Sequence, residues 1–571
     1  MKIGLLQSAP LIGAIKDNAH QLLKLMDLDT SCDLYVAPEL SLMGYPPRDL
    51  LSFPDFIDLE KQYLNELIHL SLTKNFSLLL GHTIANPHSG KSLYNGASLI
   101  SKGQVIQSFF KKRNPSYDVF DEERFFQTAA PNQKSFIHFE GKKLGIAICE
   151  DSWDSVRAFG MRDIRRYTPG SNPFFQLQDA NILINLSASP FALHKKSQRH
   201  ALMNALSGKH QCPLFYCNQV GAQDHLLFDG GSFVVDQKSS QIIEAPIFEC
   251  GIFSVDWKDC KFTTQFLPLK KSKSVYFTAQ KDFTPDPLWE SLLQALCCGI
   301  KDYVDKTKQS KVLLGLSGGI DSSLVATLAT MALGAENILG VSLPSSISSQ
   351  DSKDEAKRVA QNLGIEFQEI SIAESVESFR KSLSLEKQGL AYENLQARVR
   401  GVTLMGISNS KGPLLLATGN KSELAMGYST LYGDLCGALL PIGDLYKTEV
   451  YGLAHYINSR EKKAGRKALI PDLSLFRAPT AELSVGQKDS DSLPPYEILD
   501  TLLFEILENQ GQVRGDPAPY NEILALSGWT VDQLKSKISK QEFKRFQAAP
   551  ILKVHGRSFG AAWQMPIAKG F

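Results

Sequence analysis

No run of about twenty apolar residues occurs in this chain, so the sequence offers no membrane-spanning helix. None of the nine cysteines forms a Cys-x-x-Cys pair, and Cys297 and Cys298 are adjacent, a poor spacing for tetrahedral zinc. The cysteines therefore read as mostly reduced, buried side chains. Excess charge of either sign is also missing. Lys and Arg number 61 against 60 Asp and Glu, a formal net charge of +1, which speaks against nucleic acid as the main partner. The opening MKIGLLQSAP lacks both the long apolar stretch and the small-residue cleavage site of a secretory leader, so a cytoplasmic location is the default expectation. No repeat of short fixed period is present.

What is present is a globular composition, 43% hydrophobic and 21% charged over 571 residues. That length suits two to four domains, and large α/β domains pull the number toward two. Residues 1–265 alternate short β-like runs (Ile3–Leu6, Leu34–Val36, Leu78–Leu80, Leu144–Ile148 and Ile182–Leu186) with longer amphipathic segments, the pattern of a layered α/β fold. Residues 266–287 carry LPLKKSKS and DFTPDP and read as a linker. From residue 288 onward a helical pattern to about Val304 is followed by a compact strand, Lys311–Leu316, with further strands at Ile338–Ser342 and Leu414–Ala417. This second half, 288–571, reads as a nucleotide-binding α/β domain.

The sharpest local motif is Gly315-Leu-Ser-Gly-Gly-Ile-Asp-Ser-Ser323, between a strand and a helix whose apolar face includes Leu324, Val325 and Leu328. Gly318 and Gly319 permit a tight turn and close approach to a ligand. Ser317, Ser322 and the backbone N–H groups at the helix start form an anion cradle. No lysine follows the glycines, so this is neither a GxxxxGK[ST] loop nor a GxGxxG fingerprint. A lone Gly-Gly turn is as often a plain capped strand-to-helix turn; the full string is more specific.

In the first half, three β-like runs end on reactive groups. They are Cys149 after Leu144–Ile148, Glu39 after Leu34–Val36, and Lys111 or Lys112 after Phe109-Phe110. Strand carboxyl ends are where α/β proteins place chemistry. A thiol, a carboxylate and an ammonium suffice for amide hydrolysis: Glu39 takes the thiol proton, Cys149 attacks, and the ammonium with a backbone N–H holds the oxyanion. Taken singly, Cys149 is more often a buried structural cysteine, and Glu39 and Lys111 are more often surface residues.

The surrounding sequence weighs against those plain readings. SGGIDSS resembles the pyrophosphate loop of the ATP pyrophosphatase superfamily. YENLQAR, ATGNKSE, LYGD, PIGDLYK, RAPTAE, GQKDSDSLPPYEILD and EFKRFQ, in that order, resemble NAD synthetases. APELSLMGYPPRD, KKRNPSYDVFDEERFF, GIAICEDSW and NLSASPFALHK resemble the nitrilase-type amidase domain, specifically the glutaminase domain fused to NAD synthetases. The resemblance implies an αββα nitrilase-like sandwich, then a doubly wound parallel-sheet domain of adenine-nucleotide α-hydrolase type.

It also implies residue roles. Lys111, four residues before Pro115, is the catalytic lysine beside Glu39 and Cys149, although Asn114 replaces the leucine often found there. Tyr117, Glu122, Ser189 and Lys195 fall on glutamine-binding positions, and Glu150 has no catalytic step. Gly315, Ser317, Gly318, Gly319, Ile320, Asp321, Ser322, Thr418, Lys447 and Thr480 fall on ATP. Asn394, Glu423 and Lys544 fall on deamido-NAD, with Lys553 close enough in sequence to rival Lys544. Asp321 and Glu423 would hold Mg²⁺, which favours carboxylate and phosphate oxygens together. The implied reaction consumes glutamine, ATP and deamido-NAD in a homo-oligomer, with no nucleic acid and no membrane. Two rival readings remain: another glutamine amidotransferase on the same ATP loop, or an ammonia-using NAD synthetase with an inactive amidase half. The intact Glu39, Lys111 and Cys149 argue against the second.

Overall fold

The computed structural model describes residues 1–153, 172–177, 179–236, 241–258, 261–270, 285–479, 482–484, 489, 493–509 and 518–569. These residues fall into two compact units that divide between residues 272 and 273.

The first unit opens with β1 (Lys2–Gln7), β2 (Leu34–Val36), β3 (Ser77–Ala85), β4 (Leu93–Ser101) and β5 (Gln104–Phe110). It continues with β6 (Phe136–Phe139), β7 (Lys142–Ile148), β8 (Ile182–Ser187), β9 (Leu214–Asn218), β10 (Val220–Gln223) and β11 (Leu226–Asp229). It closes with β12 (Phe233–Val235), β13 (Ile242–Glu244), β14 (Gly251–Lys258) and β15 (Lys261–Pro268). Its helices are α1 (Ile15–Asp27), α2 (Pro54–Thr73), the single turn α3 (Glu122–Phe125) and α4 (Lys195–His210).

Two sheets result. One has seven strands in the order β15-β14-β1-β2-β3-β4-β5, the other six in the order β13-β12-β9-β8-β7-β6. They pack face to face because alternate residues of each strand point to one side. Ile3, Leu5, Val36, Leu79 and Leu99 meet Ile146, Ile148, Ile184, Leu186 and Val234 in a common buried core. The intervening residues face outward onto helices. Tyr35, Leu78 and Leu80 pack on α1 and α2 through Leu22, Leu25 and Leu67. Leu183, Leu214 and Phe233 pack on α4 through Met203 and Leu206. The layering is αββα, as the resemblance implies. β15 runs to Pro268 because its pairing with β14 continues through Phe253↔Phe266 and Gly251↔Pro268, so the strand enters the stretch read as linker. Residues 271–284 of that stretch lie outside the described residues.

The second unit begins with α5 (Pro287–Lys306), capped by the Asp286 side chain. β16 (Val312–Gly315), α6 (Ile320–Leu333), β17 (Ile338–Ser342), α7 (Gln350–Leu363), β18 (Glu366–Glu369), α8 (Ala373–Ser382), α9 (Leu390–Lys411) and β19 (Leu414–Leu416) follow. The four strands are parallel in the order β18-β17-β16-β19. Leu313, Leu339, Val341 and Leu415 pack on α8 and α9 through Val376, Leu395 and Val399. α6 covers the other face and is buried nearly all round, as its continuously apolar sequence requires. β16 and α6 bound the glycine loop, as expected from its sequence. Beyond the sheet, α10 (Lys421–Met426), α11 (Lys447–Lys463) and α12 (Asp472–Phe476) precede α13 (Tyr496–Leu507), α14 (Ala518–Ser527), α15 (Val531–Lys540) and α16 (Glu542–Arg545). Leu424, Met426, Leu499, Leu503, Leu534, Ile538 and Phe559 join these last elements into a helical core.

Candidate active sites

In the first unit the three strand ends converge. Glu39 follows β2, Lys111 follows β5 and Cys149 follows β7, and all are buried. The Lys111 ammonium lies 2.6 Å from Glu39 Oε1 and 2.7 Å from Glu122 Oε2. Asn95 Nδ2 donates to Glu39 Oε1 (2.7 Å) and to Glu122 Oε2 (3.2 Å). The Tyr45 hydroxyl donates to Glu122 Oε1 (2.8 Å) and the Ala188 N–H to Glu39 Oε2 (3.1 Å). Cys149 adopts a left-handed backbone, φ 46°. Asp151 ties this turn to the lysine strand by accepting from the N–H groups of Lys112 and Arg113, each at 2.9 Å.

Burial pushes the Cys149 thiol well up, and the nearby Glu39 carboxylate adds to it against the pull of Lys111. Burial alone would drive Lys111 toward its neutral form. Glu122 and Glu39 reverse that and hold its pKa well above the ordinary value. The thiol is therefore the resting form, and the lysine is a permanent cation.

Glu122, placed on glutamine by the resemblance, holds Lys111 with both carboxylate oxygens, a contact the sequence did not suggest. The starting turn of α3, with a backbone bond from Glu122 N–H to Pro115 O, points the side chain inward. Tyr117 and Lys195 gather elsewhere: the Tyr117 hydroxyl donates to both oxygens of Glu150 at 3.0 Å, and Lys195 Nζ lies 5.9 Å from the Phe120 ring, itself edge-on to Tyr117. The Ser189 N–H donates to Asn218 Oδ1.

The second unit contains a cavity of about 320 Å³ at the carboxyl ends of β16, β17 and β19. Gly315, Ser317, Gly318, Gly319, Ile320, Asp321, Thr418, Glu423 and Lys447 line it. At Gly318 φ is +82°, and a Cβ would lie 2.8 Å from Ser352 O, so glycine is required. Ser322 is turned into the loop, donating to Gly319 O and accepting from Ser317 N–H. Lys447 Nζ bridges Asp321 Oδ2 (2.5 Å) and Glu423 Oε1 (3.2 Å), and Asn420 Nδ2 donates to Asp321 Oδ1 (2.9 Å). A capping box with Asn420 fixes Glu423 at the start of α10. Burial, with Asp321 and Asp489 adding, pushes Glu423 up against the pull of Lys447.

Asn394 lies one residue removed from the cavity, accepting from the Thr430 hydroxyl (2.8 Å). Lys544 buttresses the Tyr428 turn by donating to Gly427 O and Ser429 O. Lys553 holds His555 O and Gly556 O. Thr480 lies outside the described residues. Sequence reasoning missed Asn95, Tyr45, Asn420 and Asp489. Tyr45, Asn420 and Asp489 stood inside motifs already noticed; Asn95 carried no local signal.

A buried cysteine, glutamate and lysine at the strand ends of an αββα sandwich, joined in one chain to a glycine loop on a parallel sheet, define a carbon–nitrogen hydrolase coupled to a nucleotide-dependent synthetase. Residues 2–161 match the carbon-nitrogen hydrolase family and residues 292–548 the NAD synthase family. The glutamine-dependent NAD(+) synthetase of Synechocystis sp. is 40% identical, covering 100% of this chain and 99% of its own. That of Thermotoga maritima is 36% identical over 100% of this chain and 99% of its own. The structure of glutamine-dependent NAD+ synthetase from Acinetobacter baumannii in complex with ADP is 32% identical, with a TM-score of 0.72 over 99% of this chain and 98% of that one. The chain belongs to the glutamine-dependent NAD(+) synthetase family.

Proposed function

We propose that this protein makes NAD from deamido-NAD, ATP and glutamine, releasing glutamate, AMP and pyrophosphate. Residues 1–265 hydrolyse glutamine, residues 288–571 activate and amidate deamido-NAD, and residues 266–287 join them. The observation that carries this reading is Lys111, wholly buried between two carboxylates within electrostatic range of a buried thiol.

Because the resting thiol is protonated, Cys149 Sγ passes its proton to Glu39 as it attacks the glutamine carboxamide carbon. Lys111 and the backbone N–H after Cys149 stabilise the oxyanion. Glu39 returns the proton to the departing nitrogen, ammonia leaves, and a glutamyl thioester remains. Water, deprotonated by Glu39, clears the thioester. Glu122, Asn95 and Tyr45 act as positioning groups that keep Lys111 charged and Glu39 aimed.

In the second unit the nicotinate carboxylate of deamido-NAD attacks the α-phosphorus of ATP and pyrophosphate leaves. Ammonia then attacks the acyl carbon and AMP departs. The loop N–H groups at Gly318 and Gly319, with the start of α6, cradle phosphate oxygens. Lys447 transfers from the carboxylates to the phosphates and offsets their charge. The donor set fits Mg²⁺: Asp321 and Glu423 are hard oxygen donors facing the same cavity as the phosphate loop. Asp321 and Glu423 would hold Mg²⁺ there, and it would supply positive charge against that building on the leaving pyrophosphate. Homo-oligomeric assembly, implied by the family resemblance, and a cytoplasmic location, the default expectation from the sequence, complete the reading.

The test is NAD formation by the purified protein and by Cys149→Ala, with glutamine or an ammonium salt. The variant is expected to lose at least about a thousandfold of the glutamine-dependent rate and to keep the ammonium-dependent one. A wild type inactive with both nitrogen sources would overturn the assignment.

A further inference from the structure

We propose that Asp489 is a third carboxylate of the divalent-cation site, acting through the water shell of the ion rather than as a direct ligand. The inference rests on the reading of Asp321 and Glu423 as the ligands.

Asp489 lines the same cavity as those two residues and is only 4% exposed. Its Oδ2 accepts from the Tyr496 hydroxyl at 2.8 Å. The Tyr428 hydroxyl also hydrogen-bonds this carboxylate, while Oδ1 is out of solvent and has no hydrogen-bond partner among the described residues. The main chain is anchored on both sides, through Asp489 N–H to Pro479 O (3.1 Å) and Leu493 N–H to Asp489 O (3.0 Å). An aspartate serving only the local turn would have both oxygens paired, because an unpaired buried carboxylate oxygen is costly.

Charge supplies the second argument. Asp489 lies within electrostatic range of Lys447, Asp321 and Glu423. Three carboxyl groups face the single ammonium of Lys447 in this cavity, an excess of oxygen donors that suits a divalent cation. Among the described residues no group of three acidic, histidine or cysteine side chains is arranged to hold one ion directly, so Asp489 is assigned to the water shell beside Asp321 and Glu423. Mg²⁺ binds through few carboxylates and keeps several waters. Those waters need acceptors, and such acceptors fix the geometry of the shell. Asp489, with an oxygen still to be paired, is suited to that place.

Mn²⁺ serves as the probe, titrated into the full-length protein and followed by electron paramagnetic resonance, alone and with α,β-methylene-ATP. Asp321→Asn is expected to weaken binding most. Asp489→Asn is expected to weaken it about tenfold, the lower end for removal of an outer-shell partner. Tyr496→Phe, which leaves the carboxylate in place but loosens it, is expected to weaken it by about two- to threefold. Wild-type affinity in Asp489→Asn, with Asp321→Asn impaired, overturns the inference and leaves the ATP site standing. Wild-type affinity in both overturns the cation site itself. Should thermal unfolding show that Asp489→Asn does not fold, Tyr496→Phe decides, and an unchanged affinity there overturns the inference.

Discussion

Each unit holds one lysine between two carboxylates, but the two clusters are built differently. Lys111, Glu39 and Glu122 are 0%, 0% and 5% exposed. Fixed donors from Asn95 and Tyr45 share the oxygens that Lys111 holds, and the Ala188 N–H takes Glu39 Oε2, the one that Lys111 leaves. Lys447 is equally buried at 3%, yet Asp321 and Glu423 are 19% and 16% exposed and line an open cavity. The first cluster is closed, its side chains held by fixed donors and kept from water. The second is open, its lysine standing where a ligand's charge will come. A salt bridge seen in a structure thus means different things according to whether its oxygens have anywhere else to go.

The largest effect is expected from breaking the closed cluster. Glu122→Leu leaves Lys111 with one carboxylate and exposes a buried imbalance. It should destabilise the first unit by roughly 3–5 kcal/mol, read from urea unfolding, with loss of glutamine hydrolysis. Glu122→Gln, which keeps the shape and accepts from Lys111, should lose less stability.

The open cluster should behave in the opposite way. Lys447→Met is expected to lower NAD formation by about 10²–10³-fold with either nitrogen source. Its cost in stability should stay under about 2 kcal/mol, since water reaches Asp321 and Glu423. Equal destabilisation by Glu122→Leu and Lys447→Met would erase the distinction drawn between the clusters.

A buried carboxylate with no lysine sharpens the contrast further. Glu60 on α2 is 2% exposed and accepts only from the Thr83 N–H and hydroxyl. Burial pushes its pKa up to about 7, from 4.5, with Thr83 pulling the other way. Between these values the folded protein holds a proton that the unfolded chain has lost, so stability falls as pH rises from 4.5 to 7 and the loss is complete above 7. Glu60→Gln should remove this slope. Its gain over wild type should be near zero at pH 4 and on the order of 2–3 kcal/mol at pH 8, measured by chemical unfolding at each pH.

What the sequence revealed follows the range of the interactions involved. Strands such as Leu144–Ile148 and the loop from Gly315 to Ser323 were legible because their patterns are local, apolar runs bounded by glycine or charge. Glu39, Lys111 and Cys149 were legible as strand-end residues, although only a family resemblance chose Lys111 over Lys112. Asn95 was not, since it is one polar residue inside β4 and its partners lie 56 and 27 positions away. The contact of Glu122 with Lys111 was not legible, because nothing in a linear pattern tells which way a one-turn helix points its acid. The same holds for Lys544, which donates to a carbonyl-rich turn over a hundred residues upstream.

Cys149 sits in a backbone region that costs an ordinary residue about 1–2 kcal/mol and costs glycine nothing. Both cysteine codons become glycine by a single base change. Once selection on glutamine use relaxes, that change removes the nucleophile and the strain together. A lineage living on abundant ammonia would therefore lose this chemistry in one step that also relieves the turn.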